Sequence, residues 1–423
     1  MKSIIRPLSQ EEHIEFLRLK MKSFPQLGGF DDSTIEQKLK QYEKMIQEGV
    51  SRTPQGLFRN GELLGGMYFN DFKLNFHDEV VLMGGLGGVA TDLLHKKEGV
   101  AREMVTYFIE HYETKGAAIG ALYAFRLDFY RKMGFGFGNK TSQYRIRPTA
   151  LTRRDKSDIV YLEKDDLPMM LDCYNRYSKQ HHGMIIHAEG WWTKLTEKQY
   201  LTVGVMQQNQ LKGYCTFEFI KGEHNPFWFN IQIHHFIYET KDAFSQLMGF
   251  LASQIDQAAF IIIDTQDDDF HFLMDYPHNG RTYEIELHHQ SNVQEVGICY
   301  RVLNVPKVFE ILQERNFANA NLKLKITIED SFYPKNQGST IVEFDNGYPT
   351  LLDANDEFDE FDEFDEFDVE ITMDIAEFSS LIMGSVGFQK LYYYGLADIS
   401  DKMYVLTINK IFMSEKPICI SRF

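Results

Sequence analysis

The alternation of apolar and polar positions predicts strands and helices along most of the chain. Two apolar runs, EVVLMGGLGGVAT and AAIGALYAF, flank a polar loop and an amphipathic stretch. In that stretch Val100, Met104 and Phe108 recur at helical spacing, and Gly116 supplies a stop. This order predicts a strand, a helix and a second strand.

The segment before these runs predicts a helical start and a hairpin. Residues 10–48 have the pattern of two helices. Residues 56–70 read as two apolar-rich strands around Asn60-Gly61, the dipeptide that best satisfies a two-residue turn.

Two further units follow, and 423 residues exceed the usual size of a single core. The second unit repeats the order of strand, helix and strand in weaker form. Its strand-to-helix connection, YETKDA, has no glycine, so we expect no phosphate site there. We expect Trp191 and Trp192 to pack in this unit. The third has α+β order. We predict an α/β (α+β) chain with domains at residues 1–150, 151–296 and 297–423.

The composition and the length of the apolar runs favour a globular protein without membrane-spanning helices. Hydrophobic residues make up 43% of the chain, enough for packed cores, and no run reaches the length of a membrane span. No export signal is evident, so we expect a cytoplasmic protein. The four cysteines and the three His-His pairs lack metal-ligand spacing, and we expect no metal.

The net charge of −17 argues against a nucleic-acid partner, because a polyanion requires a basic face. Eleven acids and no base lie in residues 353–370, so the rest of the chain is only mildly acidic. The repeat at residues 356–368, DEFDEFDEFDEFD, is either a solvated loop or a segment that binds cations or a partner.

The loop between the first strand and the amphipathic helix is the sharpest chemical signal. Unpaired amides at a helix N-terminus bind phosphate, and Gly99 and Ala101 are small enough to allow close approach. Lys96 and Lys97 add positive charge. The loop therefore predicts a pyrophosphate site.

Two segments resemble the GNAT superfamily of acetyltransferases. The run from Lys96 through Gly99 to Ala101 resembles its (R/Q)-x-x-G-x-(G/A) signature, with Lys in place of Arg or Gln, and residues 129–135, FYRKMGF, resemble its (F/Y)-Y-x-(K/R)-x-G-(F/Y) segment. The resemblance implies acetyl-CoA as cosubstrate, with the pantetheine arm on the strand around Gly87 and Val89. The implied cofactor contacts are Gly87, Val89, Ala90, Lys96, Lys97, Glu98, Gly99, Val100 and Ala101.

In the GNAT pattern Tyr130 reaches the thioester sulfur. A phenol of pKa about 10 can donate a proton as a thiolate leaves. The alternative is a core tyrosine whose hydroxyl is hydrogen-bonded elsewhere.

Over the whole chain the order of units resembles the Eis group, with tandem GNAT folds followed by a sterol-carrier-like domain. The resemblance implies that the terminal carboxylate, here on Phe423, is the catalytic base. The alternative is a frayed terminus without a role. Arg422 places a cation beside this base, which would oppose a cationic acceptor unless it is paired or turned away.

The same resemblance places the acceptor between the first two helices and the C-terminus. Phe24, Phe30 and Asp31 are therefore candidate substrate contacts, with Asp32 beside them. Alternatively, the run FDDSTIE starts a helix with a capping box.

Together these features predict an N-acetyltransferase with a direct, ternary-complex mechanism. The expected acceptor is a small-molecule amine, an aminoglycoside or another multi-amine compound, with peptide lysine as the enzymatic alternative. A non-catalytic acyl or lipid carrier or scaffold is the alternative from another class. The resemblance further implies a homo-oligomer, a hexamer, and we expect no nucleic-acid or membrane partner.

Overall fold

The computed structural model describes residues 3–188, 200–222, 228–280, 287–352 and 367–423. Trp191, Trp192 and most of the acidic repeat lie outside the described residues. None of the helices within these ranges is long and apolar enough to cross a membrane.

Residues 3–150 begin with a short strand that the sequence analysis did not predict, and the two predicted helices and the long strands follow it. Asn60 and Gly61 both have positive φ, 51° and 83°, as a tight hairpin turn requires. The elements are β1 Ile4–Pro7, α1 Gln10–Ser23, α2 Asp32–Gln47, β2 Arg52–Arg59, β3 Glu62–Phe76, β4 Glu79–Thr91, α3 Val100–Thr114, β5 Ile119–Tyr123, α4 Leu127–Arg131, β6 Gly136–Phe137 and β7 Lys140–Ile146.

Residues 151–296 repeat the strand and helix order of the first unit. The described elements are β8 Ile159–Tyr161, α5 Leu167–Ser178, β9 Ile185–Ile186, β10 Leu201–Gln207, β11 Gln210–Lys221, β12 Phe229–Tyr238, α6 Lys241–Ala252, β13 Ala258–Thr265 and β14 Asn292–Val296.

Residues 297–423 carry strands and helices in α+β order, and their first strand joins the sheet of the first unit. The described elements are β15 Ile298–Val302, α7 Val305–Ile311, β16 Leu322–Glu329, β17 Gly338–Asp345, β18 Tyr348–Leu352, β19 Val369–Asp374, α8 Ile375–Ile382, α9 Phe388–Tyr393, β20 Ala397–Ile399 and α10 Val405–Ile411.

The described strands form three sheets. Their orders are β1-β2-β3-β4-β5-β15-β6 with β9 on β3, then β14-β7-β13-β12-β11-β10-β8, and β18-β17-β16-β19-β20. Strands β7 and β15 cross between units, because β7 joins the second sheet and β15 inserts between β5 and β6 of the first. The domain boundaries proposed at residues 150 and 296 therefore divide the chain by sequence order, while the sheets exchange strands.

One hydrophobic core joins the first and third units. Phe72 of β3 and Ile119 of β5 belong to the same buried cluster as Ile326 of β16 and Phe378 of α8. The half-buried ring of Phe423 packs against this cluster. The shared core thus brings the C-terminus of the chain to the first sheet.

Candidate active site

Strands β4 and β5 separate in the middle of the first sheet. They pair in parallel from Met83 opposite Ile119 to Leu86 opposite Leu122, but β4 continues to Thr91. Beyond Leu86 the edge of β4 that faces β5 has no strand partner among the described residues. The wedge between the two strands leaves room for an extended chain to pair with β4.

The strand is irregular at the point where the wedge opens. The register of β3 against β4 shifts between Gly66 and Tyr68, and Gly88 on β4 has φ of 56°. Such a bulge redirects the backbone groups of the strand. Gly87, Val89 and Ala90, three of the residues expected at the cofactor, lie on this irregular stretch.

The loop from Lys96 to Gly99 leads directly into α3. Lys97 and Gly99 have φ of 68° and 83°, and Gly99 is the N-cap of the helix. No described side chain caps α3, so the amides of Val100 and Ala101 in its first turn have no acceptor within the helix. The helix dipole adds positive potential at the same place.

Arg59, which the sequence does not single out, holds this loop in place. Its guanidinium donates to the Glu98 carbonyl at 3.2 Å and to the Glu103 carboxylate at 2.6 Å. The Glu98 carboxylate lies 3.5 Å from Arg59 and 3.1 Å from the His95 ring. The acidic side chain of the loop is thereby compensated by neighbouring groups, and the loop retains the charges of Lys96 and Lys97.

In the second unit, the N-terminus of the corresponding helix, α6, is capped by a side chain. The Thr240 hydroxyl accepts a hydrogen bond from the Ala243 amide at 3.1 Å, so it occupies the N-terminus of α6. The start of α6 therefore differs from that of α3, which has no side-chain cap among the described residues.

Tyr130 lies on the short helix α4, after β5, and is 4% exposed. Phe129 and Phe135 pack edge-on against its ring at 5.2 and 5.9 Å. Burial raises the pKa of Tyr130 well above its ordinary value, so the phenol keeps its proton at neutral pH. Among the described residues its hydroxyl has no hydrogen-bond partner.

The end of α4 is fixed by a buried ion pair. Arg301 and Asp330 are both 0% exposed and 2.5 Å apart, and Arg301 also donates to the Met133 carbonyl at 2.5 Å. A Cβ added to Gly134, whose φ is 79°, would lie 1.5 Å from the Arg301 guanidinium. Only glycine fits at this position of the FYRKMGF segment.

The chain ends at the wedge between β4 and β5. A Cβ built on Gly87 would lie 3.9 Å from the carboxyl carbon of Phe423. The Phe423 ring packs against Phe72 at 4.7 Å and against Tyr123 at 5.5 Å. The terminus is therefore packed against the sheet, beside one of the expected cofactor residues, and is not frayed.

Arg422, the residue before Phe423, is paired with an acid of the second sheet. Its guanidinium, which is 79% exposed, lies 3.4 Å from the Asp264 carboxylate of β13. The cation adjacent to Phe423 in sequence is therefore paired with an acid, which removes the conflict noted from the sequence.

The three acceptor candidates differ in their surroundings. Phe24 is half-buried, with its ring 5.5 Å from that of Phe125, and Phe30 is 60% exposed. Asp31 caps α2 by accepting from the Thr34 amide at 3.0 Å, and bonds from Ser33 and Thr34 lower its pKa. Its carboxylate is therefore engaged by its own helix. The capping box is incomplete, because Thr34 stands where the box needs Glu or Gln.

Lys20 of α1 forms another wall of the opening and has no signal in the sequence. Its amine lies 3.2 Å from the position of a Cβ on Gly88 and 4.8 Å from the centre of the Tyr68 ring. The Tyr68 hydroxyl pairs with the His13 ring at 2.9 Å. A cation and a buried tyrosine therefore border the bulge of β4.

Comparison with protein families identifies each unit. Residues 4–138 and 183–301 each match an acetyltransferase (GNAT) domain, and residues 308–420 match a sterol carrier protein domain. A comparison of the sequence with curated proteins gives no match. In the described part of the chain no group of His, Cys, Asp and Glu side chains is arranged to hold a metal ion.

Solved structures of the same overall fold span the whole chain. They include a GCN5-related N-acetyltransferase from Anabaena variabilis, with a TM-score of 0.80 and 17% identity, and a probable N-acyltransferase from Enterococcus faecalis, with 0.79 and 18%. Eis1 from Mycobacterium abscessus has a TM-score of 0.75 and 16% identity. Each alignment covers 100% of both chains. The chain thus belongs to the GNAT acetyltransferases, with the Eis-like arrangement of two GNAT domains and a sterol carrier protein domain.

Proposed function

We propose that the protein transfers the acetyl group of acetyl-CoA to a primary amine of an aminoglycoside or another multi-amine compound. The observation that carries this proposal is the position of the Phe423 carboxylate beside Gly87, at the opening between β4 and β5. A carboxylate at this opening suits a base.

The first unit fits the cosubstrate. The uncapped amides of Val100 and Ala101, with Lys96 and Lys97, offer a site for the pyrophosphate. The free edge of β4 near Gly87 and Val89 offers backbone groups to the amide-containing arm. Acetyl-CoA supplies a thioester-activated acetyl group when it is bound.

In this proposal the Phe423 carboxylate and the Tyr130 hydroxyl take part in different proton transfers. An ammonium approaching the wedge is attracted by the Phe423 carboxylate and loses its first proton to solvent through a water. The carboxylate takes the second proton, directly or through a water, as the neutral amine attacks. The proposal assigns stabilisation of the oxyanion to backbone N–H groups near Val89. Tyr130, protonated and unpaired within the described residues, donates a proton to the departing thiolate.

A terminal carboxyl has an ordinary pKa of about 3.5, against about 10 for an amine, so it is a weak base in water. The packing of the Phe423 ring against Phe72 and Tyr123 holds the carboxylate at the sheet, where it can meet the amine. Its negative charge also holds the ammonium in place before deprotonation. Proximity supplies a large part of the rate in this scheme.

Acceptor identity is tested by thiol release from acetyl-CoA with aminoglycosides, polyamines and lysine-containing peptides. We expect turnover with the small multi-amine compounds and its loss in a chain extended beyond Phe423, with acetyl-CoA binding retained. Turnover with the peptide alone would transfer the assignment to a lysine acetyltransferase. The proposal includes a hexamer in solution, which a mass measurement tests.

A further inference from the structure

The last residues of the chain run along the second GNAT domain before they reach the first. Residues 413–423, the C-terminal tail, follow α10 without regular secondary structure. The Ile418 amide donates to the His182 carbonyl at 2.8 Å, and the Cys419 amide donates to the Gln266 side chain at 2.5 Å. These contacts fix the direction of the tail four residues before its end.

Ser421 is the next anchor. Its hydroxyl lies 3.0 Å from the Tyr174 hydroxyl and 2.5 Å from Nε2 of His187, and the residue is 8% exposed. The Tyr174 and His187 rings stack with centres 5.2 Å apart. A serine hydroxyl has one proton and can also accept, so it satisfies both neighbours only in this fixed arrangement.

His187, which contacts Ser421, has a defined charge state at physiological pH. Burial, with a smaller contribution from His235, lowers the pKa of His187 to about 3. The imidazole is therefore neutral at physiological pH and serves as a hydrogen-bond partner of Ser421 without adding a charge near the terminus.

We propose that Tyr174, Ser421 and His187 are positioning residues that hold the Phe423 carboxylate next to Gly87. The second GNAT domain, whose own helix α6 is capped, then serves as the clamp for the catalytic terminus. This proposal rests on the proposed role of the Phe423 carboxylate. It assigns a task in catalysis to the domain that lacks a phosphate loop.

The hydrogen bonds of Ser421 restrain the Phe423 carboxylate more strongly than the ion pair of Arg422 does. Only two residues separate the serine from the terminal carboxyl, so its anchoring limits rotation of the end of the chain. The Arg422 to Asp264 pair is exposed and contributes little to such a restraint. Small displacements of a catalytic group lower rates strongly.

The clamp is tested with Ser421→Ala and Tyr174→Phe, with Arg422→Gln as the matched control on the same tail. We expect the first two variants to lower kcat about tenfold or more while leaving KM for acetyl-CoA unchanged. Ser421→Thr, which keeps the hydroxyl, should restore most of kcat. Arg422→Gln should remain within about twofold of the native chain.

Release of Phe423 by carboxypeptidase A gives a readout that does not depend on turnover. Ser421→Ala and Tyr174→Phe should release phenylalanine about tenfold faster than the native chain, and Arg422→Gln should not. Native kcat and native release in both variants would overturn the clamp. Deletion of Phe423 separates the two proposals: if it stops turnover while Ser421→Ala does not, the clamp alone is wrong. If deletion leaves turnover unchanged, the role of the carboxylate fails, and the release rates still test the clamp.

Discussion

Tyr130 combines burial with a hydroxyl that has no partner within the described residues, which is the state expected of an acid awaiting a leaving group. Tyr130→Phe should preserve the packing of Phe129 and Phe135 and remove the donor. We expect kcat to fall about 10²-fold or more, with KM for acetyl-CoA little changed. Tyr107→Phe, on the outer part of α3, is the control. Steady-state kinetics measure kcat and KM for both variants. A native kcat in Tyr130→Phe would show that the Tyr130 hydroxyl is not the proton donor.

Gly134, which follows α4, packs directly against Arg301 of the third domain. Gly134→Ala combines a positive φ with a clash against the buried Arg301, so we expect a loss of more than about 3 kcal/mol in the free energy of unfolding. Gly116→Ala has nearly the same φ, 84°, and no atom within 4 Å, and it should cost about 1 kcal/mol. Denaturant unfolding compares the two. Equal losses would show that backbone strain alone acts at Gly134.

Residues within local motifs could be predicted from the sequence. Gly99 and Tyr130 belong to short segments whose chemistry depends on neighbours in the chain. Lys20, Arg59 and Ser421 could not be found in this way, because each acts on a group that is close only after folding. Asp31 illustrates the opposite case, since the local capping interpretation accounts for its contacts.

At the scale of elements, the two GNAT domains differ at the N-terminus of one helix. α3 lacks a side-chain cap, and α6 is capped by Thr240. The sequence indicated this difference through the glycine in one loop and its absence from the other. Strand alternation alone could not indicate where β4 and β5 separate, because it does not report which neighbour a strand pairs with. Only the family resemblance indicated the place, by putting the pantetheine arm on the strand around Gly87 and Val89.

A carboxylate introduced at the two helix starts should have different effects. Ala101→Glu should raise KM for acetyl-CoA about tenfold or more by repelling the phosphates, although an acid at a helix N-terminus does not destabilise the helix. Lys241→Glu places the same charge at the start of α6 and should leave KM unchanged. Titration with acetyl-CoA checks both. An equal response at the two helices would contradict the assignment of the phosphate site to α3.

At the scale of the whole molecule, the three units meet at a pair of stacked histidines. The His77 and His182 rings are 3.8 Å apart, and the His77 amide donates to Nδ1 of His182 at 3.0 Å. The ring nitrogens Nε2 of His77 and of His182 contact the carbonyls of Ile382 and Met383 in the third unit. Because Nδ1 of His182 accepts a hydrogen bond, protonation there would break it. The sequence predicted three units, but it gave no sign of this junction.

This junction predicts a loss of stability in acid. Burial lowers the pKa of His182 to about 4, below an ordinary value of about 6.5. The unfolded chain therefore binds more protons, so the free energy of unfolding should decrease as pH falls from about 6.5 to 4, by on the order of 3 kcal/mol for His182. The nearby Arg315 acts in the same direction.

Unfolding curves at pH 7.5 and pH 5 measure this effect. His182→Asn keeps an acceptor for the His77 amide and does not titrate, so it should show a smaller difference between the two pH values than the native chain. An identical difference in both proteins would contradict a role for His182 in the pH dependence.

The central claim is that the charge of the Phe423 carboxylate, and not the Phe423 ring, serves the reaction. A semisynthetic protein that ends in the Phe423 carboxamide changes only this group and keeps the contacts of the ring with Phe72 and Tyr123. Thiol release with the best acceptor is compared with that of the native carboxylate. We predict a fall in kcat of about 10²-fold or more with unchanged acetyl-CoA binding. Native turnover by the carboxamide would contradict the account.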